Sequence, residues 1–268
     1  MTYHKEGSAC GKIPCDPASS EADCEYPLDS SPSECEILLN CLKCIVYEDR
    51  YRRKDRRMEI EKNNNKELVP LEHYLEEYAK ADPAEISRRT GMPYDAEKHQ
   101  FTVRFFGRSY AVGYPEFTVQ PLNEAYAFDA LSTMNPAKIL VVRFLLESAA
   151  TQGTGKFLTY REVPWGEVYY RQFNGRCMLR LAYGFGNKLD AFRKAMETMH
   201  AEPVKAADVA YQVEVFPGYF VQFLLWEGDE EFAPSSQILF SDNFPAGFHA
   251  EDLVVVCDVL ITILKNLQ

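Results

Sequence analysis

The sequence predicts an α+β domain, a mostly antiparallel sheet of about five or six strands with helices packed against it, preceded by a small cysteine-rich appendage. Three observations lead there. From Val209 to Asn243 the chain reads VAYQVEVFPGYFVQFLLWEGDEEFAPSSQILFSDN, runs of β-branched and aromatic residues broken by a Pro217-Gly218 turn and by an acidic loop. Helical periodicity flanks that stretch, in KILVVRFLLESAA before it and from Ala250 to Leu267 after it. Six of the eight cysteines fall before residue 45, interleaved with Pro14, Pro17, Pro27 and Pro32, where little apolar material is on hand to build a core.

The division expected is therefore a cysteine-rich segment over 1–46, a charged linker over 47–67 and a main domain over 68–268. With 46% hydrophobic residues the chain has enough apolar material for a real core. The net charge of −11 speaks against a partner with a phosphate backbone, since counterion release rewards a basic face. Nucleic acid is not expected as a partner. No stretch reaches the roughly 18 uncharged apolar residues of a membrane span, and the first residues lack a signal-like apolar core. A cytoplasmic protein is the expectation, with no membrane partner; Met58 offers an alternative translation start. In a reducing compartment clustered thiols more often hold metal than form disulfides. Cys41 and Cys44 form a CxxC, Cys35 is near enough to join them, and Cys24, Cys15 or Cys10 is left for the fourth position. A zinc ion or iron–sulfur cluster on Cys24, Cys35, Cys41 and Cys44 is the expected cofactor; metal-free thiols and disulfides are the competing readings. NCLKCIVY also resembles the close of a small cysteine-rich bacterial module ending in Asn-Cys-x-x-Cys-x-x-Tyr. In the linker, the basic run from Arg50 to Arg57 reads as a solvated helix or spacer.

Within the main domain, Pro70 opens a helix with Leu71, Tyr74, Leu75 and Tyr78 on one side. Asp82-Pro83 starts a second that ends at Gly91, because Asp caps free amides and Pro suits the first turn. FTVRFF and SYAVGY, separated by Gly107-Arg108, read as a hairpin, with a short strand from Glu116 to Val119 after it. Asn135 caps, before Pro136, a buried helix running to Ala150. TQGTGK departs from the phosphate-loop pattern, since it follows a helix and precedes Phe157-Leu158; a helix end and turn is the better reading. Residues 164–200 are helical with breaks at Asn174-Gly175 and at Gly184-Phe185-Gly186. Val209, Tyr211, Val213 and Val215 alternate with wetter positions, and Tyr219 to Trp226 is apolar nearly throughout, so this second strand is central. The last helix buries Leu253, Val256, Leu260, Ile263, Leu264 and Leu267, shows Asp252, Asp258 and Thr262 on its other face, and packs Cys257 as a small apolar residue.

No motif names a reaction. The five histidines lie in no nucleophile, zincin or dinucleotide pattern. Two groups remain as candidate ligand contacts. Trp165, Tyr169 and Arg171 belong to an aromatic and arginine-rich stretch with Arg161, Arg176 and Arg180, able to grip an anion by bidentate contacts. Trp226 ends a buried strand and is followed by Glu227, Asp229, Glu230 and Glu231, carboxylates whose mutual repulsion a fold selected for stability alone would dilute. Asp229 and Glu230 are expected to face a cleft, with Arg171 or Arg108 as partners, and Asp242 with Asn243 could join them on a hard cation. A solvated acidic loop is the bland alternative.

WEGDEEFAPSSQILFSDN, HAEDLVVVCDVL, FGRSYAVGYPEFTV, AFDALSTMNPAKILVVRFLL and YREVPWGEVYYRQFNGRCMLRLAYGFG together resemble a prokaryotic family catalogued as domain of unknown function 3786, over residues 68–268. The resemblance implies no established activity; it implies anaerobes as the usual hosts and, through attached cysteine-rich segments, an iron–sulfur label for some members. The reading that follows is an accessory or ligand-binding protein of anaerobic metabolism. Its rival is an enzyme acting on a small anionic substrate where the arginine and tyrosine group meets the acidic loop.

Overall fold

The N-terminal part of the domain is built on helix ends that local chemistry fixes. The structure, a computed structural model, describes residues 68–122 and 128–268, all within one unit, Asn65–Gln268. The cysteine segment and the linker lie outside the described residues. Helix α1 (Leu68–Lys80) is followed by α2 (Pro83–Thr90), where Asp82 accepts the Ala84 N–H at 3.0 Å and Gly91 closes the helix at φ 70°.

Four antiparallel strands form the first sheet in the order β1 (Tyr94–Asp95), β2 (Gln100–Phe105), β3 (Arg108–Gly113), β4 (Val119–Pro121). The β2–β3 turn is Phe106-Gly107, one residue earlier than the sequence suggests: both have positive φ, 46° and 74°, the two-residue geometry that matches strand twist. Arg108 pairs with Phe105 and is buried, while the Phe106 amide donates to Val215 O at 2.9 Å, tying the turn to the other sheet. The short strand begins at Val119 because Thr118 is spent in a turn, its N–H on Glu116 O and its carbonyl on Gly113 N–H.

Next come α3 (Ala130–Thr133) and α4 (Asn135–Glu147). Met134 is the cap of α4 and Asn135 its first residue; the helix stops at Glu147, before Ala150. Arg89 reaches its last carbonyls, Leu145 O at 2.7 Å, Leu146 O at 2.8 Å and Ser148 O, and so satisfies groups that no further turn would.

The second sheet has five antiparallel strands in the order β5 (Phe157–Thr159), β9 (Ser235–Ser241), β8 (Tyr219–Trp226), β7 (Val209–Phe216), β6 (Glu202–Pro203). Among the described residues two sheets thus stand where one was expected. β8 is central, as its apolar run requires, and Pro217 with Gly218 at φ 84° makes the type II turn that joins it to β7. Between β5 and β6 lie α5 (Gly166–Phe173), a π-helical turn (Asn174–Met178), α6 (Leu179–Phe185) and α7 (Leu189–Thr198). The helix does not break at Asn174-Gly175; it widens by one π turn and continues.

After α8 (Phe244–Gly247), α9 (Ala250–Asn266) packs on α4, α5, α6 and α7, buried on nearly every side. Leu253, Val256, Cys257, Leu260, Ile263 and Leu264 are all buried, whereas the face expected to meet water meets arginines. Asp252 is buried against Arg143 of α4 and also accepts the His249 N–H at 2.9 Å. Asp258 takes Arg176 at 2.9 Å and Arg180. A core of stacked rings joins the layers: Phe144 lies on Phe216 at 4.1 Å and 3°, and Tyr160 on Phe173 at 3.9 Å and 2°.

Candidate functional site

The outward face of α5 and α6 begins at a strained residue. Tyr160 is pulled into the core, its hydroxyl on Ala250 O at 2.9 Å, and a single 3₁₀ turn (Tyr160–Glu162) leads away from it. Gly166 then passes so close to Tyr160 O that a Cβ would sit 1.8 Å away. Between them Trp165 adopts φ 65°, a left-handed conformation that a bulky residue rarely takes, and holds its indole in water. Beyond Trp165 the exposed face runs through Val168, Gln172, Gly175, Leu179 and Tyr183, spaced by three or four residues along one side of the helix. Among the apolar side chains of this face exposure ranges from 44% at Leu179 to 74% at Trp165, and Phe232, in the loop at the far end, is 70% exposed.

That loop is closed on itself. The Asp229 side chain accepts the N–H groups of Glu231 at 2.8 Å and Phe232 at 2.6 Å, and the Asp229 N–H returns to Phe232 O at 2.9 Å. Pro234 lies over Gly186 and Gly228, where added Cβ atoms would stand 2.3 and 2.6 Å from its ring, so the loop is pinned to the C-terminal end of α6.

The ligand residues expected from sequence therefore fall into two groups. Trp165, Tyr169 and Arg171 occupy the N-terminal end of the helical stretch; Trp226, Asp229 and Glu230 belong to the strand end and loop against its C-terminal end. At about 1.5 Å per residue the two ends are roughly 30 Å apart. Trp226 is half-buried, opposite Ser235, while Asp229 and Glu230 are exposed. Tyr169 donates to Glu251, and that bond raises its pKa. Three of the four arginines of the stretch have internal partners: Arg161 lies 3.8 Å from the Tyr170 ring, and Arg176 and Arg180 hold Asp258. Arg171 is exposed and makes no ion pair with a described residue. Arg108 sits in the first sheet, bonded to Tyr110, not at the acidic loop.

Asp242 and Asn243 do not join the loop carboxylates, because β9 separates them from Ser235 by its whole length. Asp242 instead accepts the Thr154 N–H at 2.9 Å and the Thr154 hydroxyl, which holds its carboxyl below the ordinary range. Asn243 donates to Thr151 O at 3.0 Å and Gly218 O at 2.9 Å and accepts from Ser241 Oγ at 2.6 Å. These residues and Tyr219, whose hydroxyl bonds Ala149 O at 2.7 Å, fasten the TQGTGK turn to the β7–β8 hairpin. Burial lifts the Asp252 carboxyl above its usual range against the pull of Arg143. Among the described residues no group of three or more His, Cys, Asp or Glu is arranged to hold a metal ion. Elsewhere, an open polar depression of about 290 Å³ gathers Lys98, His99, Tyr114 and Glu116, with His99 at φ 50°. Only the β2–β3 register brings these side chains together, so no linear pattern reveals it.

Residues 82–263 match the family described as Domain of unknown function (DUF3786). The chain belongs to that family. The DUF3786 match opens at the Asp82 cap and closes inside α9, so it takes in both sheets and the whole exposed helical face but not α1 or the six N-terminal cysteines. Neither the curated proteins nor the solved structures return a match. No helix among the described residues is long and apolar enough to cross a membrane. No linear motif marks Val168, Leu179, Tyr183 or Phe232; the available signal was that this helix is apolar on two sides, Phe173, Cys177, Leu181 and Phe185 inward and Val168, Leu179 and Tyr183 outward.

Proposed function

We propose that this DUF3786 chain is an accessory protein that acts by association and not by turnover, and that the outward face of α5 and α6 is the surface it uses. One observation carries the reading. Of the six large apolar side chains exposed among the described residues, all but Leu122, that is Trp165, Val168, Leu179, Tyr183 and Phe232, lie along one helix and the loop at its end. Large apolar side chains exposed along one side of a folded domain mark a place of contact. The enzyme reading needs an anion held between the arginine group and the acidic loop, and three of those arginines are engaged internally while the loop stands at the other end of the helix. The proposal keeps an N-terminal zinc or iron–sulfur site on Cys24, Cys35, Cys41 and Cys44, and a place in anaerobic metabolism, as parts of the same accessory role.

The test is photocrosslinking in the source cells, with benzoylphenylalanine replacing Tyr183 and, as control, the exposed Glu97. A discrete adduct from position 183 and none from 97 is expected. Equal, diffuse labelling from both positions refutes the reading.

A further inference from the structure

We propose that Cys177 and Cys257 form a buried dithiol that peroxide closes to a disulfide, reversibly clipping the helical stretch of α5 and α6 to α9. The proposal stands apart from the reading of the exposed face, since it concerns the inward side of the same stretch. Cys177 sits in the π turn (Asn174–Met178) and Cys257 midway along α9; both are free and 0% exposed. The Cys177 thiol donates to Val254 O at 3.5 Å, the carbonyl one turn before Cys257, and the Cys257 thiol is in hydrogen-bond contact with Cys177. The residue beside each cysteine repeats the pairing in charge. Arg176 holds Asp258 at 2.9 Å, and Arg180, one turn further on, holds it too while donating to Thr262 Oγ1 at 2.9 Å. These bonds fix the register of the two elements and so hold the sulfurs as neighbours. A disulfide then needs them only to close to about 2.05 Å.

Burial keeps the pair reduced while the domain is closed. It raises the pKa of the Cys257 thiol, and the thiolate is the form that attacks. Peroxide therefore reaches the sulfurs when the π turn opens. That turn is the weak place of the stretch, because the bond from Leu179 N–H to Asn174 O replaces the tighter α pattern and Gly175 lowers helix propensity beside it. Opening bares Cys177 first. Its thiolate attacks one peroxide oxygen; an S–O bond forms as O–O breaks, and the hydroxide released takes up the proton the thiol gave and leaves as water. The Cys257 thiolate then attacks that sulfur, S–S forming as S–O breaks, and a second water leaves in the same way. The two sulfurs together lose two electrons and the peroxide gains them. A dithiol reductant reverses the bond by exchange.

The experiment treats the reduced, folded full chain with hydrogen peroxide, blocks the remaining thiols and maps linked peptides by mass spectrometry without reduction. A peptide joining Cys177 to Cys257, lost again on adding dithiothreitol, is expected. Closing the bond should raise Tm by roughly 5 to 10 °C, and the rise should vanish in Cys177→Ala. Amide exchange in the wild type needs no variant to fold: the Leu179 N–H should exchange at least about tenfold more slowly after oxidation, because the clipped π turn no longer opens. Cys177 and Cys257 found as free thiols, as sulfinic acids or joined to other cysteines, under peroxide that oxidises the N-terminal cysteines, overturn the proposal. So does a Cys177–Cys257 link that leaves exchange at Leu179 unchanged, since the bond would then clip nothing.

Discussion

Replacing Asn243 by alanine tests whether the polar knot at the end of β9 is a fastening or a binding site. Its side chain makes three hydrogen bonds at 2.6 to 3.0 Å, to the TQGTGK turn, the β7–β8 turn and Ser241, and it is buried. Each such bond is worth about 1 kcal/mol net, and the two carbonyls and one hydroxyl left behind have few other partners, so a loss of about 3 kcal/mol is expected. For a domain of this size that corresponds to a fall in Tm of roughly 6 to 12 °C. Urea unfolding followed by circular dichroism, extrapolated linearly to water, measures it. Asn243→Asp separates the alternatives. The carboxylate can still accept from Ser241 but cannot donate to Thr151 O or Gly218 O, so it should destabilise at least as much as alanine. A loss below about 1 kcal/mol in Asn243→Ala refutes the fastening; an Asn243→Asp protein as stable as wild type and raised further by calcium would restore the hard-cation reading.

Other expectations follow from the same geometry. The Asp242 carboxyl is held below its ordinary value of 3.8 by the Thr154 hydroxyl and amide, so its contribution is present above that pH and fades as pH falls below it; thermal melts from pH 6 to pH 2 should show the gap between wild type and Asp242→Asn closing on the acid side, and a gap independent of pH would contradict the assignment. Protein beginning at Met58 should melt in one cooperative transition, since the described core draws on residues from Leu71 onward, and an aggregated or molten product would count against the division at the linker. In anaerobically purified full chain, Cys41→Ser should lose bound zinc or iron while Cys257→Ser, a buried core position, should retain it; wild-type protein with less than about 0.2 metal per chain ends the metal proposal.

What could be read in the sequence was whatever local chemistry decides. The Asp82 cap, the Gly91 stop and the Pro217-Gly218 turn each rest on one or two residues, the central place of β8 on its own apolar run, and each stands where expected. What could not be read was decided by partners distant in the chain. Asp252 and Asp258 look like solvent-facing residues until Arg143, Arg176 and Arg180 arrive from other helices. Phe106 takes the strained place in its turn because Val215 accepts its amide and the core accepts its ring. The helix runs past Asn174-Gly175 because Cys177, Leu181 and Phe185 are buried beyond it, and packing outweighs weak propensity. The candidate site failed to assemble within one chain for a related reason: Trp165 and Asp229 are singular in the sequence, but nothing linear shows that one helix separates them.

The most direct measurement is hydroxyl-radical footprinting of the protein inside its source cells, against the same protein purified alone. If the face of α5 and α6 is where this protein associates, Trp165, Tyr183 and Phe232 should be protected together in the cells and reactive together in the purified protein, while Tyr94 and His99, at the β1–β2 end of the first sheet, keep their reactivity throughout. Oxidation of Trp165 and Tyr183 at the same rate in both samples, with any protection found elsewhere, would contradict the account.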